Sequence, residues 1–115
     1  MAIFKINDRQ YIEVSSGLAG DADDRLRNVA FETTNAKQLR DYLSGRGVAV
    51  TDSLTRDAYG NPTLPVKDPE GRDIQFVEYR PGSEQGRRSL PATRISERII
   101  HVGFIVRDRA AEDRF

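Results

Sequence analysis

Four polar side chains sit at equivalent places in a sequence that partly repeats itself, and they are the residues best suited to chemistry. Residues 26–33, Leu-Arg-Asn-Val-Ala-Phe-Glu-Thr, return in altered form as residues 100–106, Ile-His-Val-Gly-Phe-Ile-Val, so that Asn28 matches His101 and Phe31 matches Phe104. Tyr11-Ile12-Glu13-Val14 likewise returns as Asp73-Ile74-Gln75-Phe76, with Glu13 matching Gln75. His101 is the single histidine of the chain, and any imidazole-dependent proton transfer or metal binding near neutral pH rests on it. Glu13 brings a carboxylate. Asn28 and Gln75 take up no proton near neutral pH, which suits them to hydrogen bonding a ligand rather than to acid–base work. Their amide oxygens bind hard cations only weakly. His101 and Glu13 make two good metal ligands, whereas catalytic metal sites generally use three and keep one position open.

Strands must position these groups, and side chains alternate between the two faces of a strand. Ile12 and Val14, Val29 and Phe31, Ile74 and Phe76, and Val102 and Phe104 are the apolar members and are expected under helices. Tyr11 and Glu13, Asn28 and Ala30, Gln75 and Val77, and His101 and Gly103 then share the opposite face. Four polar side chains on an otherwise small or apolar face fit a pocket, and they fit a wetted sheet face equally well. Glu32 lies on the Asn28 side and could reach its rim, while Glu78, on the Phe76 side at a strand end, reads as a surface residue.

The elements follow from local pattern. Phe4-Lys5-Ile6, a turn at residues 7–9 and residues 10–14 predict a hairpin, followed by a loop over residues 15–24 and a strand over 27–33. Thr34-Asn35 supplies a helix N-cap. Residues 36–46 follow with Leu39, Tyr42 and Leu43 at helical spacing, and Gly47 is placed to end the helix. Residues 48–51 predict a second strand, 57–62 a turn, and 63–67 with 72–79 a second hairpin closed by Asp68-Pro69-Glu70-Gly71. Ile99 opens a further strand reaching Val106. Asp108 caps a helix over residues 109–115, in which Phe115 takes the place of Tyr42 as an expected core anchor.

This order gives an α+β fold. Residues 26–79 form one complete strand–helix–strand–strand–strand module, flanked by a partial one on each side. Residues 1–14 are the closing hairpin of a preceding partial module, 80–98 a linker, and 99–115 the first strand and helix start of a following one. Complementary open edges at the two ends suggest that residues 99–106 dock beside residues 11–14, within one chain or across a homodimer that exchanges terminal strands. Glu13, Asn28, Gln75 and His101 would then meet in one cup.

A βαβββ unit in tandem, with His101-Val102-Gly103-Phe104, Asn28-Val29-Ala30-Phe31, Asp68-Pro69-Glu70-Gly71 before Ile74-Gln75-Phe76, and Tyr11-Ile12-Glu13-Val14, resembles the vicinal oxygen chelate superfamily. Its members include glyoxalase I, extradiol dioxygenases and bleomycin-resistance proteins. The resemblance covers almost the whole chain. It implies a cup between paired modules and a divalent metal, Fe, Mn, Ni or Zn, held by side chains of first and last strands. At those positions stand Asn28 and His101, and Glu13 and Gln75. The resemblance thus implies His101, Glu13 and Gln75 as metal ligands, Glu13 as general base, and Asn28 with Tyr11 as substrate-binding residues. The complete module departs from the family pattern, with Asn28 where His is usual and Gln75 where Glu is usual.

Bulk composition narrows the function classes. The 115 residues carry 18 basic and 18 acidic side chains, so no net field draws the chain to nucleic acid or anionic lipid. Arg87, Arg88, Arg94 and Arg98 read as a solvated connector. There is no cysteine, hence no disulfide framework and no thiolate chemistry, and a cytoplasmic protein without a membrane segment is expected. Three readings stay open. One is a metal-dependent lyase, isomerase or dioxygenase of the glyoxalase type. Another is a non-catalytic module that binds a small molecule in the same cup. The third is a fragment of a longer multi-module protein whose intact site lies elsewhere.

Overall fold

The computed structural model describes residues 2–7, 9–18, 20, 25–83 and 96–115. They form two compact units: one drawn from Met1–Arg25 and Gly82–Phe104, the other from Leu26–Pro81 and Ile105–Phe115. The linker reading at residues 84–95, with Arg87, Arg88 and Arg94, lies outside the described residues.

The second unit holds the complete module. β3 (Asn28–Glu32) leads into α1 (Ala36–Gly45), then β4 (Thr55–Arg56), β5 (Pro62–Lys67) and β6 (Asp73–Val77). The sheet order is β3-β6-β5-β4, with β3 parallel to β6 and the other neighbours antiparallel. A parallel pair needs a long crossover, which α1 and the β4–β5 segment supply. The module is therefore βαβββ.

Local chemistry sets the ends of α1. Asn35, in extended conformation, accepts a hydrogen bond at its side chain from Gln38 N at 2.9 Å, one of the orphan donors of a helix start. At the other end Gly47 N donates to Ser44 O and Val48 N to Leu43 O, with Gly47 at φ +82. This pair of bonds around a left-handed residue is the Schellman arrangement.

Alternation correctly sorts the faces of this sheet. Val29 pairs Ile74, Phe31 pairs Phe76, and Leu64 and Val66 pair Phe76 and Ile74, which puts all six on one side. Glu78 continues that side of β6, and its Oε2 accepts from Ala36 N at 2.8 Å, so this is the face that α1 covers. Leu64 is 0% exposed, and Ala36 and Val66 are buried. Glu78 thus anchors the first turn of α1 rather than serving as a plain surface residue. Tyr42 is half exposed, with Arg46 stacked 4.8 Å above its ring, and it is not a core anchor.

Several expected elements differ. Residues 48–51 contribute a single bridge, Val50 to Val66. Arg40 Nε takes the carbonyl of Thr51, and the Thr51 hydroxyl donates to Ser53 O, turning the chain until Thr55 and Arg56 rejoin β5. Residues 99–106 form no strand among the described residues. Their β-favouring side chains are not enough without a partner ladder. Side chains take the backbone groups near both ends instead: Gln10 bonds Ile99, and Arg72 bonds Ile105. α2 (Arg109–Arg114) has Asp108 as its N-cap, with Oδ1 accepting from Ala111 N at 3.0 Å. It buries none of its residues, and Phe115 is half exposed.

In the first unit β1 (Ala2–Lys5) pairs antiparallel with β2 (Tyr11–Val14). Asn7 closes the turn, its Oδ1 accepting from Arg9 N and Gln10 N at 2.8 Å. Ala2, Phe4, Ile12 and Val14 share one face. Phe4, Ile12 and Val14 are 56%, 48% and 50% exposed. The expectation that Ile12 and Val14 lie under a helix fails, because among the described residues this unit contains no helix to cover them. Val102 is exposed to a similar degree.

Candidate functional site

The complete module brings two of the four repeat-related residues together. Asn28 begins β3 and Gln75 lies in the middle of β6, with Ala30 directly opposite Gln75. Asn28 Nδ2 donates to Gln75 Oε1 at 3.4 Å across 47 residues of sequence. Both project from the face opposite α1. Around them the sheet presents Ala30, Val77, Thr63 and Pro65, placed there by the register of β3, β6 and β5. Thr63 is buried and its hydroxyl lies 2.6 Å from that of Thr55. At one end Lys67 Nζ pairs with Asp73 Oδ1 at 2.5 Å, and the two charges offset each other. The middle of this face is neutral, with amides and hydroxyls set among small apolar groups.

That donor set can hold a polar uncharged group. Each carboxamide offers donors and an acceptor, and the bond between the two uses one Asn28 donor and the Gln75 oxygen. The amide pair itself has neither carboxylate nor imidazole, the donors a divalent metal prefers. The carboxylates of this face are Asp73, paired with Lys67, and Glu32 at the far end of β3 opposite Val77. Among the described residues no group of three or more His, Cys, Asp and Glu side chains is arranged to hold a metal ion.

The other two residues belong to the first unit. Glu13 and Tyr11 share the face of the β1–β2 hairpin opposite Phe4 and Ile12. Glu13 is exposed and Tyr11 partly so. His101 is exposed, two residues beyond Ile99. Gln10 fastens Ile99 at both its backbone groups: its Nε2 donates to Ile99 O at 2.9 Å and its Oε1 accepts from Ile99 N at 2.9 Å. Asn7 Nδ2 adds a bond to Glu97 O at 3.0 Å. The stretch leading to His101 is therefore tied to the start of the strand that carries Glu13, through side chains rather than through a ladder.

One residue on the Tyr11 and Glu13 face escaped the sequence reading. Lys5 pairs Tyr11 across the hairpin and is only 7% exposed. Its in-phase spacing with Ile3, two residues before it, was the available signal. Lysine is so rarely buried that the pattern alone gave it no weight.

No family model matches the sequence, and no curated protein does. Among solved structures the chain is similar to a glyoxalase family protein from Enterococcus faecalis, at 19% identity over 58% of this chain and 52% of that one, with a TM-score of 0.45. It is also similar to SMU.1112c, at 25% identity over 64% and 56% of the two chains, with a TM-score of 0.45. The chain spans about half the length of these structures. The motifs at Asn28–Phe31 and Asp68–Phe76 and the order β3-β6-β5-β4 decide the architecture. The fold is α+β, built on a βαβββ module. Among the described residues no helix is long and apolar enough to cross a membrane.

Proposed function

We propose that the chain is a ligand-binding module of glyoxalase-type fold, taking a small polar molecule without catalysing its reaction. The observation that carries this reading is the Asn28–Gln75 hydrogen bond on the face opposite α1. At the two positions where the family resemblance implies metal ligands, this module has a neutral amide pair. Such a pair orients a ligand through matched donors and acceptors, and a few well-placed polar groups on an apolar floor are what a small-molecule site requires.

The test is a fragment titration followed by NMR at the side-chain NH2 resonances of Asn28 and Gln75. Uracil, benzoate and benzylamine serve as neutral, anionic and cationic probes. Uracil shifts both resonances and the charged probes do not, and Gln75→Leu abolishes the response. If none of the probes moves either resonance, or if benzoate alone does, the reading is wrong.

A second reading is favoured by the tie between Gln10 and Ile99. It gives His101 and Glu13 a shared unit, where they would act as two ligands of a divalent metal, with Glu13 as general base and Tyr11 beside it on a bound substrate. Metal analysis of protein purified without chelator tests it: His101→Ala loses the metal, and equal content in both proteins removes the reading.

The chain works as a homodimer in the cytoplasm. The half-exposed Phe4, Ile12 and Val14 of one hairpin face support association with a second copy, and the absence of cysteine supports a reducing compartment.

A further inference from the structure

A group of charged side chains outside the Asn28–Gln75 face holds the last residues of the chain. The Asp68–Gly71 turn is a firm platform: Asp68 Oδ1 accepts from Glu70 N at 3.0 Å and from Arg72 N at 2.7 Å, and Gly71 N donates to Asp68 O at 2.9 Å. From this platform Glu70 Oε1 accepts from Asp108 N at 2.9 Å and from Arg107 N. Arg72 Nη2 donates to Glu70 Oε2 at 2.9 Å and to Ile105 O at 2.6 Å. The attachment is almost wholly polar, since α2 buries no residue and Ile105 is 95% exposed.

Glu112 is the odd member. It turns back from α2 toward the platform, its side chain is 19% exposed, and its Oε1 is buried without a hydrogen-bond partner. Arg72 Nη1 comes no nearer than 4.0 Å to it while lying 3.3 Å from Asp68 Oδ2. We propose that residues 105–115 form a releasable strap, held to the Asp68–Gly71 turn by Glu70 and Arg72 and loosened when Glu112 ionises, so that docking passes through a maximum as pH changes.

The two carboxylates act in opposite directions. Hydrogen bonds from the Asp108 and Arg107 amides, with Arg72 beside it, hold Glu70 below the ordinary carboxylate range against the opposing effect of burial. Its contribution to docking is complete above its undocked value and is lost as pH falls through the docked one. Burial, then the negative charges of Asp68 and Glu70, push Glu112 up, with Arg72 and a hydrogen bond from the Glu70 backbone opposing. Docking therefore gains from protonated Glu112 below its undocked value and loses that gain as pH rises through the docked one. The groups facing Glu112 are Asp68, Glu70 and Arg72 from the turn. On its own element Arg109 and Asp113 pair with each other at 3.3 Å, both well exposed.

Amide hydrogen exchange read by NMR, corrected for intrinsic rates and taken from about pH 2.5 to about pH 8 so that the range reaches below the ordinary carboxylate value as well as above it, tests the strap directly. Protection at Asp108 and Ala111 rises and then falls severalfold across that range, while protection at Leu64 and Val77 does not follow it. Glu112→Gln removes the fall on the alkaline side, and Glu70→Gln removes the loss on the acid side. A wild-type profile at Asp108 and Ala111 that is flat, or that merely parallels Leu64, overturns the proposal. So does an alkaline fall that survives in Glu112→Gln.

Discussion

Glu78 Oε2 accepts the amide hydrogen of Ala36 at 2.8 Å, so the residue just after the module's last strand holds the first turn of its helix. Ala36 is fully buried, and its N–H is one of the helix-start donors with no partner inside the helix.

Glu78→Ala leaves that donor without a partner. A loss of about 1–2 kcal/mol follows, the cost of an unsatisfied buried amide. Urea denaturation should show a lower midpoint at an unchanged slope. Glu78→Gln, which keeps an acceptor, should recover part of the loss.

Asn61 carries a second structural dependence. It is fully buried, its Nδ2 donates to Asp57 Oδ2 at 2.8 Å and its Oδ1 accepts from Arg80 N at 3.0 Å. Asn61→Ala strands groups on both sides and should cost about 1–3 kcal/mol, measured by thermal unfolding. Loss of the turn should also speed exchange of the Arg80 amide.

Two neighbouring glycines should respond with opposite sign to the same substitution. Gly45 lies in the last turn of α1 with open space where a Cβ would go, so Gly45→Ala stabilises by about 0.5–1 kcal/mol. Gly47 stands at φ +82, where an L side chain costs roughly 1–2 kcal/mol. Denaturation of the two single variants side by side checks the contrast.

The apolar face of the first hairpin predicts concentration-dependent association. Phe4→Lys with Ile12→Lys should shift the sedimentation of the protein toward the monomer without changing its far-UV circular dichroism. A wild-type protein that sediments as a monomer at every concentration would contradict this.

The module was largely legible in the sequence because its signals are local. Asn35, Gly47, the Asp68–Gly71 turn and the two-residue alternation of β3 and β6 each need only neighbouring residues to act. They set the helix ends, the second hairpin and both sheet faces, and so put Asn28 and Gln75 on one face, while their adjacency comes from the pairing of β3 with β6. What the residues could not convey was set by distant partners. The stretch over 99–106 is as rich in strand-favouring residues as β3, yet the side chains of Gln10 and Arg72 hold it near its two ends. Thr51 is diverted by Arg40 from the helix. Glu112 gained its surroundings from the distant Asp68–Gly71 turn, and Lys5 was passed over because buried lysines are rare. The hairpin face of Ile12 and Val14 followed from alternation, but whether anything covers it depends on other segments.

The parallel pairing of β3 with β6 has a kinetic consequence. Among the described residues β3 has a single neighbour in the sheet, and that neighbour comes some 47 residues later in the chain. The first strand of the module must wait, solvated and unzipped, until the helix and the later hairpin have formed. Closing so long a loop is an entropic barrier that local contacts cannot lower. Refolding should therefore be limited by the arrival of this edge, and substitutions in β3 that weaken its pairing with β6 should slow folding.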